Sequence, residues 1–160
     1  MKKTKVVCIG EALIDRIRNK SNQGFTDFLG GAPANVAFAL KKLQIDSAFI
    51  GRLGNDKFGK RFIEQFRELE VDINFLQLDN KLPTRIVKVN RDESGDRYFS
   101  GFDTSLNTVF ADEALDSNEI KKNMKRFEKL FLETKYFVSG TIILSSSISS
   151  KSIYYLLDIA

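Results

Sequence analysis

The run Gly30-Gly31-Ala32-Pro33-Ala34-Asn35-Val36-Ala37 joins a pair of glycines to the start of a helix with an amide side chain in its first turn. Because glycine has no Cβ, Gly30 and Gly31 allow the backbone to pass close to a flat ligand. Pro33 suits the first helical turn, where its missing N–H would have no intrahelical partner. Asn35 can donate a hydrogen bond to a hydroxyl group or accept one from it. Taken alone, the run fits two interpretations: a tight turn followed by a polar residue in the first turn of a helix, or a binding site for a ligand rich in hydroxyl groups.

Two further motifs flank this run. Gly10-Glu11-x-x-x-Asp15 precedes it, and Gly51-x-x-Gly54-x-Asp56-x-x-Gly59 follows it. A carboxylate such as Asp15 can accept hydrogen bonds from two hydroxyl groups, and Asp56 is well placed to cap a following helix. In this order and at these intervals, the three motifs resemble the amino-terminal part of the ribokinase-like (pfkB-type) carbohydrate kinases, in particular their fructokinase-like members.

The resemblance implies an α/β fold, a ribokinase-like three-layer α/β/α structure with a small β lid, truncated after its first half. Residues 1–160 would form the amino-terminal part of one sugar kinase domain, with lid segments near 11–30 and 84–102. The implied reaction moves a phosphoryl group from ATP to a sugar hydroxyl, with ATP and Mg²⁺ as cofactors of the complete enzyme.

The resemblance also assigns roles to single residues. Asp15, Gly31 and Asn35 would contact sugar hydroxyls, with Gly30 and Gly31 giving the ligand access to the backbone. The residues of the third motif would be structural, allowing a strand-to-helix turn to pack tightly: Gly51, Gly54, Asp56 and Gly59.

A predicted antiparallel hairpin interrupts the middle of the chain. Segments 85–90 and 97–102 flank the polar turn residues 92–96, so we expect a ribbon that stands off the main sheet. It resembles the family's lid, which covers the sugar and often mediates dimerisation. The exposed apolar side chains of such a ribbon favour a partner surface, and we expect a homodimer. The residues expected to take part are Val87, Tyr98, Phe99 and Phe102.

The remaining pattern alternates strands and helices. Short apolar strands are predicted at 5–9, 47–50, 75–78 and 136–139, and helices at 33–43 and after Asp56, which favours a parallel sheet covered on both faces. A single basic helix is predicted from Asp116 to Glu133. Its lysines and arginines lie opposite an apolar stripe, so we interpret them as a solvated face and expect no nucleic-acid partner.

Composition excludes several classes of site. The chain has 160 residues, a net charge of +4, no histidine and one cysteine, Cys8, so His-dependent triads, internal disulfides and cysteine metal clusters are excluded. We expect Cys8 to be a core residue and no metal site in this chain. Neither an export signal nor an apolar run of membrane-spanning length is apparent, so we expect a cytoplasmic protein without a membrane partner.

The end of the sequence bears on catalysis. Ser149 or Ser150 is expected to cap a last helix that no strand follows, which suggests the front portion of a longer protein. In the resembling family, a Gly-Ala-Gly-Asp turn supplies the anion hole and the general base, and this sequence contains no such turn. We therefore assign no catalytic residue to the chain and expect it to be inactive alone.

The sequence departs from the family pattern in two places. Gln44 stands where Gly or Ser is usual, so we expect the loop there to be altered. Phe102-Asp103 stands where fructokinase-like members carry an aromatic-arginine pair, which leaves the choice of sugar open. The alternatives to a fructokinase are a 2-keto-3-deoxygluconate kinase, a nucleoside kinase, and a non-catalytic module that binds sugar or dimerises.

Overall fold

Eight strands form two separate four-stranded sheets in the computed structural model, which describes residues 6–19, 24–91, 97–102 and 109–160. For residues 91 and 97–102, only the backbone is described. The strands are β1 (Val6–Ile9), β2 (Leu13–Arg18), β3 (Phe25–Gly30), β4 (Ser47–Gly54), β5 (Asp72–Asp79), β6 (Ile86–Arg91), β7 (Arg97–Phe102) and β8 (Tyr136–Ser139). The helices are α1 (Ala32–Lys42), α2 (Lys57–Glu68), α3 (Ser117–Lys122), α4 (Met124–Leu132) and α5 (Ser147–Asp158).

The main sheet is parallel, with the strand order β5-β4-β1-β8. Alternate residues of β1 point to opposite faces, as a strand requires. Cys8 lies in the core cluster that includes Phe62 of α2, whereas Ile9 lies in the cluster that includes Phe127 of α4 and Leu156 of α5. Both faces of the sheet are therefore covered by helices, which confirms the expected three-layer α/β/α fold.

The second sheet, called the lid sheet below, has the order β3-β2-β6-β7. Strands β6 and β7 are antiparallel, and β6 runs parallel to β2. The predicted hairpin is thus present, and it does lie outside the main sheet. It is joined there by β2 and β3, which the chain forms immediately after leaving β1 and before entering α1.

Four sequence predictions on element bounds were wrong. Strand β5 begins at Asp72, three residues before its predicted start. Strand β4 continues to Gly54, four residues past the predicted end, because its pairing with β5 extends that far. The basic helix is divided into α3 and α4 at Asn123, a weak helix former whose side chain donates to the Glu119 carbonyl. Ser146, not Ser149 or Ser150, caps α5, and Ser149 is buried one turn inside the helix.

Gln44 adopts a conformation that glycine would favour. Its φ is +61°, and the adjacent N–H groups of Gln44 and Ile45 donate to the carbonyls of Lys41 and Leu40 at 2.9 Å. This is the Schellman ending of a helix, whose left-handed position is usually glycine. The loop expected to be altered at Gln44 therefore keeps the conventional helix ending, with a strained residue at its centre.

Cys8 is fully buried, as expected for a core residue. Burial raises the pKa of its thiol to about 12, so the thiolate is not populated at physiological pH. Within the described residues, every helix falls short of the length and apolar character needed to span a bilayer.

Candidate functional site

The junction between the two sheets collects the residues of the first two motifs. Strand β1 ends at Ile9, the chain turns through Gly10 and Glu11 into lid strand β2, and β3 returns it to the start of α1. In parallel α/β sheets, ligands bind beyond the carboxyl ends of the strands. Asp15, Gly30, Gly31 and Asn35 all lie on elements that meet at this edge.

Asp15 and Gly30 are in direct contact. Asp15 lies on β2 and Gly30 at the end of the paired strand β3, and a Cβ built on Gly30 would collide with the Asp15 carboxylate oxygen Oδ2. Gly30 is therefore required to make room for the carboxylate, and the two residues form one wall of the junction.

Gly31 forms the N-cap of α1. Its φ is +96°, and a Cβ there would lie 2.5 Å from the carbonyl oxygen of Glu11. Only glycine satisfies both the dihedral and the close approach. One turn further on, the Asn35 N–H donates to the Gly31 carbonyl at 2.9 Å, and Asn35 is exposed. The amide side chain is thus available to a ligand at the helix start.

Helix α1 has no capping side chain of its own and no acidic residue in its first turn. Glu11 lies beside it, buried to 2 % exposure, and the backbone N–H groups of Glu11 and Ala32 favour its charged form. Burial of the Glu11 carboxyl favours its neutral form more strongly than these N–H groups favour its charged form, and nearby Asp112 adds a smaller repulsion. The pKa of the Glu11 carboxyl is therefore raised. Its Oε2 has no hydrogen-bond partner among the described residues and lies against Gly140, beyond the end of β8.

A buried ion cluster fixes the root of the lid. Arg85, immediately before β6, forms two hydrogen bonds with Asp112 (2.7 and 3.0 Å) and one with Glu113 (2.7 Å). The Arg85 guanidinium lies 4.6 Å from the ring centre of Phe110. The backbone carbonyl of Arg85 accepts a hydrogen bond from the Ile14 N–H at 2.8 Å. The cluster therefore ties the strand that enters the lid to the segment that leaves it.

The third motif fixes the turn from β4 into α2. Asp56 Oδ1 accepts from the N–H groups of Phe58 and Gly59, and Asp56 Oδ2 accepts from the Thr84 N–H. These donors stabilise the carboxylate, and they outweigh desolvation so that the pKa of Asp56 is lowered. A Cβ on Gly59 would collide with the Gly54 carbonyl. In this structure the motif holds the start of α2 against Thr84, two residues before β6.

Of the four residues expected on the lid surface, the structure describes the side chain of Val87 alone. Val87 is buried in a small apolar cluster with Leu13 and Val89, which corrects the expectation that it is exposed for a partner. It is buried because side chains of the neighbouring strand β2, such as Leu13, and the side chain of Ile142 pack with it. The side chains of Tyr98, Phe99 and Phe102 lie outside the described residues.

Two features of the site had been missed from the sequence. The sequence patterns assign no role to Glu11 within the first motif and place Arg85 only at the start of a strand. The available signals were an arginine between Pro83-Thr84 and an apolar run, and a glutamate two residues after the end of a buried strand.

Two further features bear on where ligands could bind. In the described segments, no group of three or more Asp, Glu, Cys or His side chains could hold a metal ion. A cavity of about 730 Å³ lies at the opposite end of the main sheet, where β4 and β5 begin, and its lining mixes basic residues such as Lys41 with acidic ones such as Asp72. It contains none of the predicted sugar-binding residues.

The chain belongs to the pfkB family of carbohydrate kinases, whose family model matches residues 3–156. It is 36 % identical to a fructokinase of Klebsiella pneumoniae and to an aminoimidazole riboside kinase of Salmonella typhimurium, each over 96 residues. Each match covers 60 % of this chain and 31 % or 30 % of the relative, so the chain matches about a third of these relatives' length.

Solved fructokinases share the fold. The fructokinase of Xylella fastidiosa with bound ATP superposes with a TM-score of 0.82 at 25 % identity, over 99 % of this chain and 48 % of the other. The Vibrio cholerae O395 fructokinase with fructose, ADP and calcium ion gives a TM-score of 0.73 at 26 % identity, over 98 % and 47 %. The chain thus spans about half of these structures, and its family is that of carbohydrate kinases, which are transferases.

Proposed function

We propose that this chain supplies the sugar-binding half of an ATP-dependent, fructokinase-like sugar kinase. The observation that carries the proposal is the contact between the Asp15 carboxylate and Gly30, beside the N-cap Gly31 of α1. At the carboxyl edge of the parallel sheet, a carboxylate that can accept hydrogen bonds from hydroxyl groups thus lies beside backbone without a Cβ. The exposed amide of Asn35 lies one turn further along α1.

Each group has a separate task in holding the acceptor. Asp15 accepts hydrogen bonds from two sugar hydroxyls, and Asn35 accepts from one hydroxyl or donates to it. Gly30 and Gly31 let the sugar approach the backbone because no Cβ intervenes. Closure of the lid sheet over the sugar would exclude water, which otherwise competes for the phosphoryl group.

ATP and a divalent metal belong to the complete enzyme in this proposal. The bound ATP of the Xylella fastidiosa fructokinase, and the ADP and calcium ion of the Vibrio cholerae enzyme, support them. ATP is the phosphoryl donor, and the metal would neutralise charge on its phosphates. In this proposal, the contribution of this chain is to bind and orient the sugar through Asp15 and Asn35. The expected cytoplasmic location is part of the same proposal.

Replacing Asp15 or Asn35 by Ala in the full-length protein tests the assignment. Loss of hydrogen bonds that involve a charged or buried partner should weaken sugar affinity by about 1.5–3 kcal/mol for each variant. The affinity for ATP should stay unchanged, because neither residue is assigned to the nucleotide. Isothermal titration calorimetry with fructose, and separately with ATP, measures both quantities.

Asp27→Ala is the matched control for this experiment. Asp27 lies on the same lid sheet but forms an ion pair with Arg16 at 2.7 Å, so its loss should leave sugar affinity as in the wild type. A parallel loss of sugar and ATP affinity in the Asp15 variant would indicate a folding defect and would remove the role assigned to Asp15.

A riboside is the second candidate acceptor. The similarity to an aminoimidazole riboside kinase supports it as directly as the similarity to a fructokinase, since both relatives are 36 % identical over 96 residues. Titration of the wild type with fructose, 2-keto-3-deoxygluconate and a nucleoside ranks the acceptors. A protein that binds sugar but phosphorylates none of them at full length would be the non-catalytic module.

We further propose that the full-length protein dimerises through the lid sheet. The support is the aromatic content of β7, which carries Tyr98, Phe99 and Phe102 on a two-sided ribbon. A charged substitution, Phe99→Asp, should shift the protein towards monomer in sedimentation velocity experiments. Val87 is unsuitable for this test because it is buried within the chain. An unchanged sedimentation coefficient in Phe99→Asp would place the interface elsewhere.

A further inference from the structure

Two phenylalanines on the edge strand β3 are half exposed. The exposed fraction is 50 % for Phe28 and 49 % for Phe25. Large aromatic side chains gain much free energy from burial, so an exposed ring beside a binding site needs an explanation. The two rings are equally exposed but differ in what surrounds them.

Strand pairing places the two rings on opposite faces of the lid sheet. Phe28 is the register partner of Asp15, and Phe25 is the register partner of Arg18. Side chains directly opposite each other across an antiparallel pair share a face, and positions three apart along one strand lie on opposite faces. Phe28 therefore shares the face of Asp15, called the Asp15 face, and Phe25 lies on the reverse, the Arg16 face.

The Arg16 face is packed against the main body of the chain. Ile14 and Leu29 belong to the core cluster that includes α2, the Arg16 guanidinium lies 5.8 Å from the Phe58 ring centre, and Arg61 donates to the Asp27 carbonyl. Phe25 itself lies 5.8 Å from the Arg18 guanidinium, a cation–π contact. Much of this face is therefore occupied by contacts within the chain.

The Asp15 face is turned towards the carboxyl edge of the main sheet. Leu13 and Val87 on this face pack with Ile142, which follows the end of β8. Gly30, whose missing side chain makes room for Asp15, lies on the same face two residues from Phe28. Among the described residues, the Phe28 ring has no recorded ring or cation contact, in contrast to Phe25.

We propose that Phe28 is a specificity-determining residue for the acceptor, whose ring stacks on the C–H face of a neutral furanose held through its hydroxyls by Asp15. The inference rests on the proposed sugar-binding function. Side chains directly opposite in an antiparallel pair have Cβ atoms about 4.5–5.5 Å apart, so one sugar ring can contact both.

The chemistry of the pair favours a neutral sugar. The face of an aromatic ring carries partial negative charge, and Asp15 is a carboxylate, so both groups repel an anionic substituent placed between them. A ring face made of C–H bonds is attracted to the same surface. The pair should therefore accept a furanose or riboside and disfavour a sugar acid such as 2-keto-3-deoxygluconate.

Phe28→Leu and Phe25→Leu in the full-length protein form a matched pair of variants, because the two side chains have equal exposure and lie on one strand. Loss of an aromatic contact should weaken fructose binding in Phe28→Leu by about tenfold. Phe25→Leu should bind as the wild type does, and Phe28→Tyr, which keeps the ring, should restore most of the affinity. Calorimetry with fructose measures the change.

A second readout reports the position of the ring. In the wild type, NMR spectra of the exchanging sugar should show its C–H protons shifted upfield by the ring current of Phe28. The shift should vanish in Phe28→Leu and persist in Phe25→Leu. A general loosening of the lid would instead reduce affinity without separating the two variants in this way.

The outcomes separate this inference from the function on which it rests. A wild type that binds none of the sugars overturns both. A wild type that binds fructose equally well with Phe28→Leu, or that loses affinity equally in both leucine variants, overturns the role of Phe28 alone. A change in sedimentation coefficient for Phe28→Leu with unchanged sugar affinity would make Phe28 an interface residue and would likewise overturn its role.

Discussion

Arg85→Ala is expected to lower the free energy of unfolding by about 3–5 kcal/mol, the cost of removing one partner from a buried ion pair. The Arg85 side chain is 2 % exposed and that of Asp112 is 1 % exposed, so water cannot replace the lost partner. The substitution leaves the carboxylates of Asp112 and Glu113 without the guanidinium, with Glu11 close by. Denaturant unfolding of wild type and variant at the same pH measures the difference.

Arg16→Ala is the matched control. Arg16 and Asp27 form an ion pair with the same two-bond geometry, at 2.7 and 2.9 Å, but their side chains are 20 % and 22 % exposed. Water screens such a pair, and its loss should cost about 0–1 kcal/mol. Both are Arg–Asp pairs joined by two hydrogen bonds of similar length, so the comparison tests burial together with the additional bond from Arg85 to Glu113.

The loss of unfolding free energy in Arg85→Ala, called the deficit below, should depend on pH. Burial raises the pKa of Asp112 in the folded protein, and Arg85 opposes that rise, so the variant's Asp112 binds a proton more readily when folded than when unfolded. A group with a raised folded-state pKa stabilises the protein as pH falls and loses that contribution as pH rises through the folded-state pKa. The deficit should therefore be larger at pH 8 than at pH 5. A deficit no larger than that of Arg16→Ala would show that the cluster gives no net stability.

The motifs that predicted the fold are local, and this explains their success. Pro33 and Asn35 mark a helix start within one turn, and Asp56 caps α2 through N–H groups two and three residues away. The alternation of apolar strands and helices predicted a parallel sheet covered on both faces, but it did not predict the order of the strands. Such signals depend on neighbours in the sequence, so no knowledge of the tertiary structure is needed to use them.

The parts that were missed depend on residues distant in the sequence. Arg85 and Asp112 are 27 positions apart, and nothing near either residue indicates the other. The burial of Glu11 becomes visible only when β8 brings Gly140 against it. Val87 was expected on the surface because a hairpin considered alone has two open faces. In the structure, side chains of β2 and of Ile142 pack with Val87 on one of these faces.

Gly31→Ala is expected to reduce stability by about 3 kcal/mol or more and to abolish sugar binding in the proposed site, because it combines two costs. A residue with a Cβ at positive φ is strained by about 1–2 kcal/mol. In addition, the new Cβ would lie 2.5 Å from the Glu11 carbonyl oxygen and 3.0 Å from the Cα of Ala12, the residue before β2. Backbone atoms cannot move aside as a flexible side chain could, so α1 must shift at its first residue.

Gly24→Ala separates the two costs. Gly24 has nearly the same φ, +92° against +96°, but a Cβ there would meet its nearest neighbour, Asn19, at 3.8 Å. The free energy of unfolding of Gly24→Ala should therefore fall only by the dihedral cost of about 1–2 kcal/mol, and this variant should bind sugar as the wild type does. Unfolding free energies and calorimetric sugar affinities of both variants give the comparison. Equal losses of stability with sugar binding intact in both would mean that α1 can shift freely, and the close approach of Gly31 to Glu11 would then have no part in forming the site.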